Sequence, residues 1–143
     1  MAADQLKALH TALIDAKKGH EEALRDSEDN AARRVFSDMI ALREKHHSEL
    51  HDSLSRLGET PDEDGSFMAT VHETVISVRA AVTGIGTNAL SSFVSGEERI
   101  LGKYDDAIDE ARSEPALSGI LTRQKQELQG KVAEMNRLSS SAA

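Results

Sequence analysis

The sequence predicts an all-α fold: one domain, residues 1–143, of four long helices in a single bundle, with one long crossover between the second and third. Three observations carry that expectation. Apolar residues recur at steps of three and four along most of the chain, the period of a helix that buries one face. Ala, Leu, Glu and Arg are abundant, while Pro occurs twice and Trp not at all, a composition suited to helices. The polar links between the periodic stretches are short in two places and long in one, which constrains how the helices connect.

The first helix is expected over about 3–25. Leu6, Leu9, Leu13, Ala16, His20 and Ala23 form its stripe. Successive residues turn by about 100°, so His20 falls at the centre of that stripe. Asp4 is placed to cap the N-terminus. The polar link 26–30 is short enough to imply an antiparallel hairpin. The second helix is expected over about 30–57, with Val35, Phe36, Met39, Ile40, Leu42, Leu50, Leu54 and Leu57 on its apolar face. In the middle of that face the stretch Leu42–Leu50 places Arg43 and His46, where a bundle core usually takes Leu. His47 lies nearer the edge and Glu44 points away. Gly58 follows as a natural residue to end the helix.

An acidic loop over 59–65 leads to a shorter helix expected over about 66–83, with Ser66 as its cap. Val71, Val75, Val78 and Val82 are spaced by four and three, not by the two of a strand, and His72 lies at the rim. Val is a modest helix former, so this helix would depend on packing. The third long helix is expected over about 88–112, on Leu90, Phe93, Glu97, Leu101, Tyr104, Ile108 and Ala111, with Glu97 and Tyr104 central. Pro115 suits the first turn of the fourth. That helix reaches about Leu138 on Leu117, Leu121, Gln124, Leu128, Val132 and Met135, with Lys131 close to the stripe's edge and 139–143 as a frayed tail. The connecting segment of roughly 30 residues, containing a helix, is long enough to travel most of the bundle's length. It makes helices 2 and 3 parallel, as in ferritin-like bundles with one long crossover.

Levels along the two hairpins sort the polar residues of the stripes into two layers. The first is His20, Glu97 and Lys131; the second is His46, Tyr104 and Gln124; Arg43 lies between them. Isolated buried charges are costly, so these groups are expected to pair and to fix helix register. The competing expectation is a metal or small-ligand site. His20, His46 and Glu97 supply the imidazole and carboxylate that bound iron or manganese uses in a bundle core. The fixed cations of Lys131 and Arg43 oppose it.

Other function classes are disfavoured. The formal net charge is −8 and no helix shows a basic face with aromatics, which argues against nucleic acid. There is no Cys, hence no disulfide framework and no thiolate metal site. No apolar run approaches the roughly 20 residues of a membrane span, and the N-terminus lacks a signal pattern, so the cytoplasm is the expected location. No Ser sits in a Gly-x-Ser-x-Gly elbow, and no His has the neighbours of a phosphorelay histidine.

Four features together resemble a family of uncharacterised bacterial four-helix-bundle proteins, placed in the ferritin-like superfamily as a domain of unknown function. They are the Leu42–Leu50 stretch, the Leu57-Gly58 helix end, Gly65-Ser66 at the start of the crossover helix, and Gly96-Glu97 with Tyr104 downstream. The resemblance covers most of the chain and implies a fold more than an activity. It departs from the family at His20, where an aromatic tends to follow Gly19, and at Lys131-Val132, where a His would be looked for. The wider superfamily includes di-iron proteins with a Glu on each of two helices and Glu-x-x-His on each of the other two. Here Glu44-x-x-His47 is the one such motif, partly off the core face. The expected function is therefore a non-enzymatic ferritin-like bundle that acts through homo-oligomerisation or a protein partner, in a stress-related setting. The alternative is a metal- or small-ligand-binding bundle using buried His, Glu and Tyr.

Overall fold

The computed structural model describes residues 3–27, 29–60 and 90–141. They form an all-α four-helix bundle: α1 Asp4–Asp26, α2 Asn30–Arg56, α3 Leu90–Glu110 and α4 Pro115–Ser141. Each lies close to its expected range, and α4 continues past Leu138 to Ser141. The crossover helix expected over 66–83, with its Val stripe, Ser66 and His72, lies outside the described residues. Among the described residues no helix is long and apolar enough to cross a membrane.

The helix ends are set by local chemistry. Asp29 caps α2: its Oδ1 accepts from the backbone N–H of Ala31 at 2.8 Å and of Ala32 at 3.2 Å. Beyond the other end, Gly58 takes φ +81°, a left-handed conformation that glycine adopts without a Cβ penalty. The start of α1 departs from expectation. Asp4 is its first helical residue, and the N-cap position is Ala3, which offers no side-chain bond. The carboxylate of Glu110, the last residue of α3, takes over that role. It accepts from the N–H of Gln5 at 3.0 and 3.1 Å and from that of Leu6 at 3.0 Å. An anion there meets unpaired N–H groups and the positive end of the helix dipole.

Side-chain contacts fix the directions. Lys17 meets Glu44 and His10 meets His51, so α1 and α2 are antiparallel. Asp38 meets Lys131 and Glu49 meets Arg123, so α4 is antiparallel to α2, and the short link 111–114 turns it back along α3. Phe36, Arg43 and His46 meet Phe93, Glu97 and Tyr104 in the same order, so α2 and α3 run parallel. α1 and α4 each pack against both α2 and α3, which face one another across the bundle axis. The end of α2 and the start of α3 therefore lie at opposite ends of a bundle about 40 Å long, from the 27 residues of α2.

The core is continuous along this axis, from Leu6 and Leu9 to Phe36, Met39 and Met135. On α3 the buried face is Leu90, Val94, Glu97, Ile100, Tyr104 and Ala107. Phe93, Leu101 and Ile108, expected on the stripe, flank it as partly buried residues. Leu57 is 37% exposed, so the core face of α2 ends at Leu54.

Replacing Glu110 with Ala should lower stability by roughly 0.5–2 kcal/mol, the range for a lost N-cap. Urea unfolding gives the loss, and amide exchange should accelerate selectively at Gln5 and Leu6. Unchanged exchange at those two amides would mean that the carboxylate does not hold the first turn of α1.

Candidate functional site

Two polar groupings occupy the bundle core. In the first, Glu97 of α3 is 2% exposed and forms an ion pair with Arg43 of α2, which is fully buried. His20 of α1 completes the group, with Nε2 at 3.3 Å from Glu97 Oε1. Its Nδ1 lies 2.7 Å from the Ala16 carbonyl oxygen, which only accepts, so Nδ1 carries a hydrogen in that bond. The Nε2 edge therefore joins the ion pair as a donor when the ring is protonated. Phe36 and Phe93, with ring centres 5.0 Å apart, stand beside His20 at 6.0 and 5.6 Å and shield the pair with apolar surface.

Burial pushes the Arg43 pKa down to about 10, against an opposing influence from Tyr104, so the guanidinium is charged at neutral pH. Among the described residues its Nε and Nη1 have no hydrogen-bond partner, which makes the single carboxylate contact the main compensation for a buried charge. Lys131, expected beside Glu97, is not there. It is half-buried, and its Nζ lies 3.4 Å from Asp38 Oδ2 and 3.3 Å from Glu134 Oε2. From the stripe's edge a long Lys stem can lie along the helix and carry its ammonium towards solvent.

The second grouping starts at Tyr104, whose hydroxyl donates to Gln124 Oε1 at 2.9 Å and lies 3.3 Å from His46 Nδ1. Gln124 Nε2 donates to the His46 carbonyl oxygen at 3.3 Å and to Glu49 Oε1 at 3.1 Å. His46 Nε2 lies 3.1 Å from Glu127 Oε1, and Glu127 also pairs with Lys45 at 2.8 Å and Arg123 at 2.9 Å. A hydrogen-bonded path thus runs from the core to charged groups at the surface. Burial drives the His46 pKa down to about 4, although its bond to Glu127 acts the other way. Burial raises that of Tyr104. At neutral pH the inner part of the path is uncharged and its outer part is ionic.

The three metal candidates do not form one group. His20 and Glu97 are adjacent, but His46 belongs with Tyr104, Gln124 and Glu127. Arg43 stands against Glu97, where a fixed cation repels a divalent ion. Glu44 of the Glu44-x-x-His47 motif turns outward to Lys17 at 3.1 Å. A groove near one end of the bundle is lined by Asn30, Ala31, Arg34, Val35, Glu134 and Leu138, none of them from the polar core.

A third cluster escapes the sequence reading: His10 of α1, buried, with His47 and His51 of α2, half-buried. The signals were present. His10 lies four residues after Leu6 and three before Leu13, inside the stripe of α1, and His47 and His51 are four apart on one helix face.

A family model described as Domain of unknown function (DUF2383) matches residues 1–110. That span holds both partners of the Arg43–Glu97 pair and all three clustered histidines, while Gln124 and Glu127 lie beyond it. No curated protein matches the chain.

Arg43→Met alone should destabilise the bundle by about 3–5 kcal/mol, because it strands a buried carboxylate. Adding Glu97→Gln should recover most of that loss; urea unfolding of both variants gives the comparison, and an additive double mutant would mean that the two do not act as a pair. His46 supplies a pH dependence. Its folded pKa of about 4 lies below the unfolded value near 6.5, so the unfolded chain binds more protons between them. Its contribution to stability is complete above about pH 6.5 and is lost as pH falls towards 4. Urea midpoints across that interval should decline less steeply in His46→Gln than in wild type; equal slopes would exclude His46 as the source.

Proposed function

The chain belongs to the family Domain of unknown function (DUF2383), and because that description assigns no activity, we propose a role from the structure: a non-enzymatic, ferritin-like helical bundle that acts by association with a second copy of itself or with a partner protein. The observation that carries this reading is that, among the described residues, the carboxylate, phenol and imidazole of the core are each held by a neighbouring side chain. Glu97 is held by Arg43, Tyr104 by Gln124, and His46 by Glu127. A reaction centre needs at least one such group aimed at a space that a substrate can enter. The outer surface is then the part left to act.

Its chemistry constrains the partner. Among the described residues Leu57 is the one large hydrophobic that is exposed, so contacts would rest on polar and charged groups. With a formal net charge of −8, a basic partner surface is favoured, and attraction of that kind is screened by salt. Metal binding at His20, His46 and Glu97 has less support, because Arg43 occupies the carboxylate.

Light scattering across protein concentration, at low and high ionic strength, tests the reading. The expected result is a self-assembly that persists as salt screens the like charges of its copies, or a complex with a basic partner co-purified from its native cells that dissociates as salt is raised. A monomer at every concentration and ionic strength, with no co-purifying partner, would overturn it.

A further inference from the structure

We infer that His10, His47 and His51 form a binding site for a divalent transition metal of the zinc class, at the end of the bundle opposite the α1–α2 turn. The inference is independent of the association reading. Each residue offers one ring nitrogen, and these three atoms lie within 4.8 Å of one another. His10, in the second turn of α1, is buried and provides an interior anchor. His47 and His51 present two further ligands from one face of α2, on the solvent side of that anchor.

The distances suit a small ion. Imidazole nitrogens bound at about 2.0–2.1 Å in a tetrahedron stand about 3.3 Å from one another. His10 Nε2 and His51 Nδ1 are 3.4 Å apart, which is already one edge of that tetrahedron. Ring centres are 4.5 Å apart for His10 and His47 and 6.0 Å for His47 and His51, with planes inclined at 53° and 45°. The rings are thus not stacked flat, and their edges can turn to a common point. Closing the widest nitrogen separation takes a rotation of His47 or His51, both only half-buried.

The donor set selects the metal class. Three neutral imidazoles favour Zn(II), Co(II), Ni(II) or Cu(II), whereas Mg(II) and Ca(II) need oxygen ligands. The fourth position of the tetrahedron is left for water. The nearest lysine along α1, Lys7, is held by Glu59 at 2.8 Å, which offsets its charge beside the site.

Untagged full-length protein, dialysed against Zn(II) and then analysed for metal by elemental analysis and calorimetry, should bind one zinc per chain. Co(II) should give the visible absorption of a tetrahedral centre. Loss of an outer-shell partner alone weakens metal sites by about 10–100-fold, so His10→Gln, His47→Gln and His51→Gln should each weaken binding at least about tenfold. Circular dichroism verifies the fold, and should His10→Gln unfold, the variants at the two half-buried positions decide. Glu44→Gln, on the outward face of α2, should bind as wild type does. Zinc should also raise the urea midpoint of wild type and not of the variants. No zinc bound by folded wild type at micromolar metal, or binding that survives in both His47→Gln and His51→Gln, would overturn the inference.

Discussion

The contact between Arg43 and Glu97 is the constraint around which the bundle is arranged. Both groups lie on helices that face each other across the axis, and neither can reach water. Two charges removed from solvent are tolerable only when each has the other, so any register that parts them is heavily penalised. The pair therefore says which level of α2 must meet which level of α3, a choice that Leu against Leu would leave open. His20, Phe36 and Phe93 close over it and keep the surroundings dry, which strengthens the attraction and also the penalty for losing it.

The grouping around Tyr104 is built differently. Its inner members are neutral and hydrogen-bonded, and charge appears only where Glu127 and Glu49 reach Arg123 and Lys45 near the surface. Such a graded arrangement avoids a second fully buried ion. It also pins α4 to α2 through Gln124, whose amide bonds the His46 carbonyl and Glu49. The first grouping ties α1, α2 and α3, the second α2, α3 and α4. Between them every helix is held by polar contacts in the interior.

The four long helices were legible because their signals are local: stripe period, the short polar link 26–30 before α2, Gly58 after it and Pro115 at the head of α4. The second polar layer was legible because Tyr104, Gln124 and His46 sit near stripe centres, where an error of a turn does little damage. Lys131 was misplaced because its flexible stem lets a residue at the stripe's edge point either way, and sequence spacing cannot say which. Arg43 reached Glu97 for the converse reason: a residue central on its stripe has no route to water. Asp4 looked like a cap because Asp often is one; the true acceptor, Glu110, is more than a hundred residues away in sequence. The histidine cluster was not legible because His10 adjoins Leu9 in the stripe of α1 and His47 lies near the edge of the face of α2, so no stripe centre marks the three.

The Glu110 carboxylate has a consequence for how the bundle opens. Helix ends ordinarily fray one at a time, each according to its own last turn. Here the final turn of α3 supplies the acceptor for the first N–H groups of α1, so unwinding one end withdraws the bond that closes the other. Two segments far apart in the chain become a single cooperative unit, and the latch between them sits at the same end of the bundle as His10, His47 and His51. Local opening at that end is thereby a shared event, rarer than fraying of either helix alone.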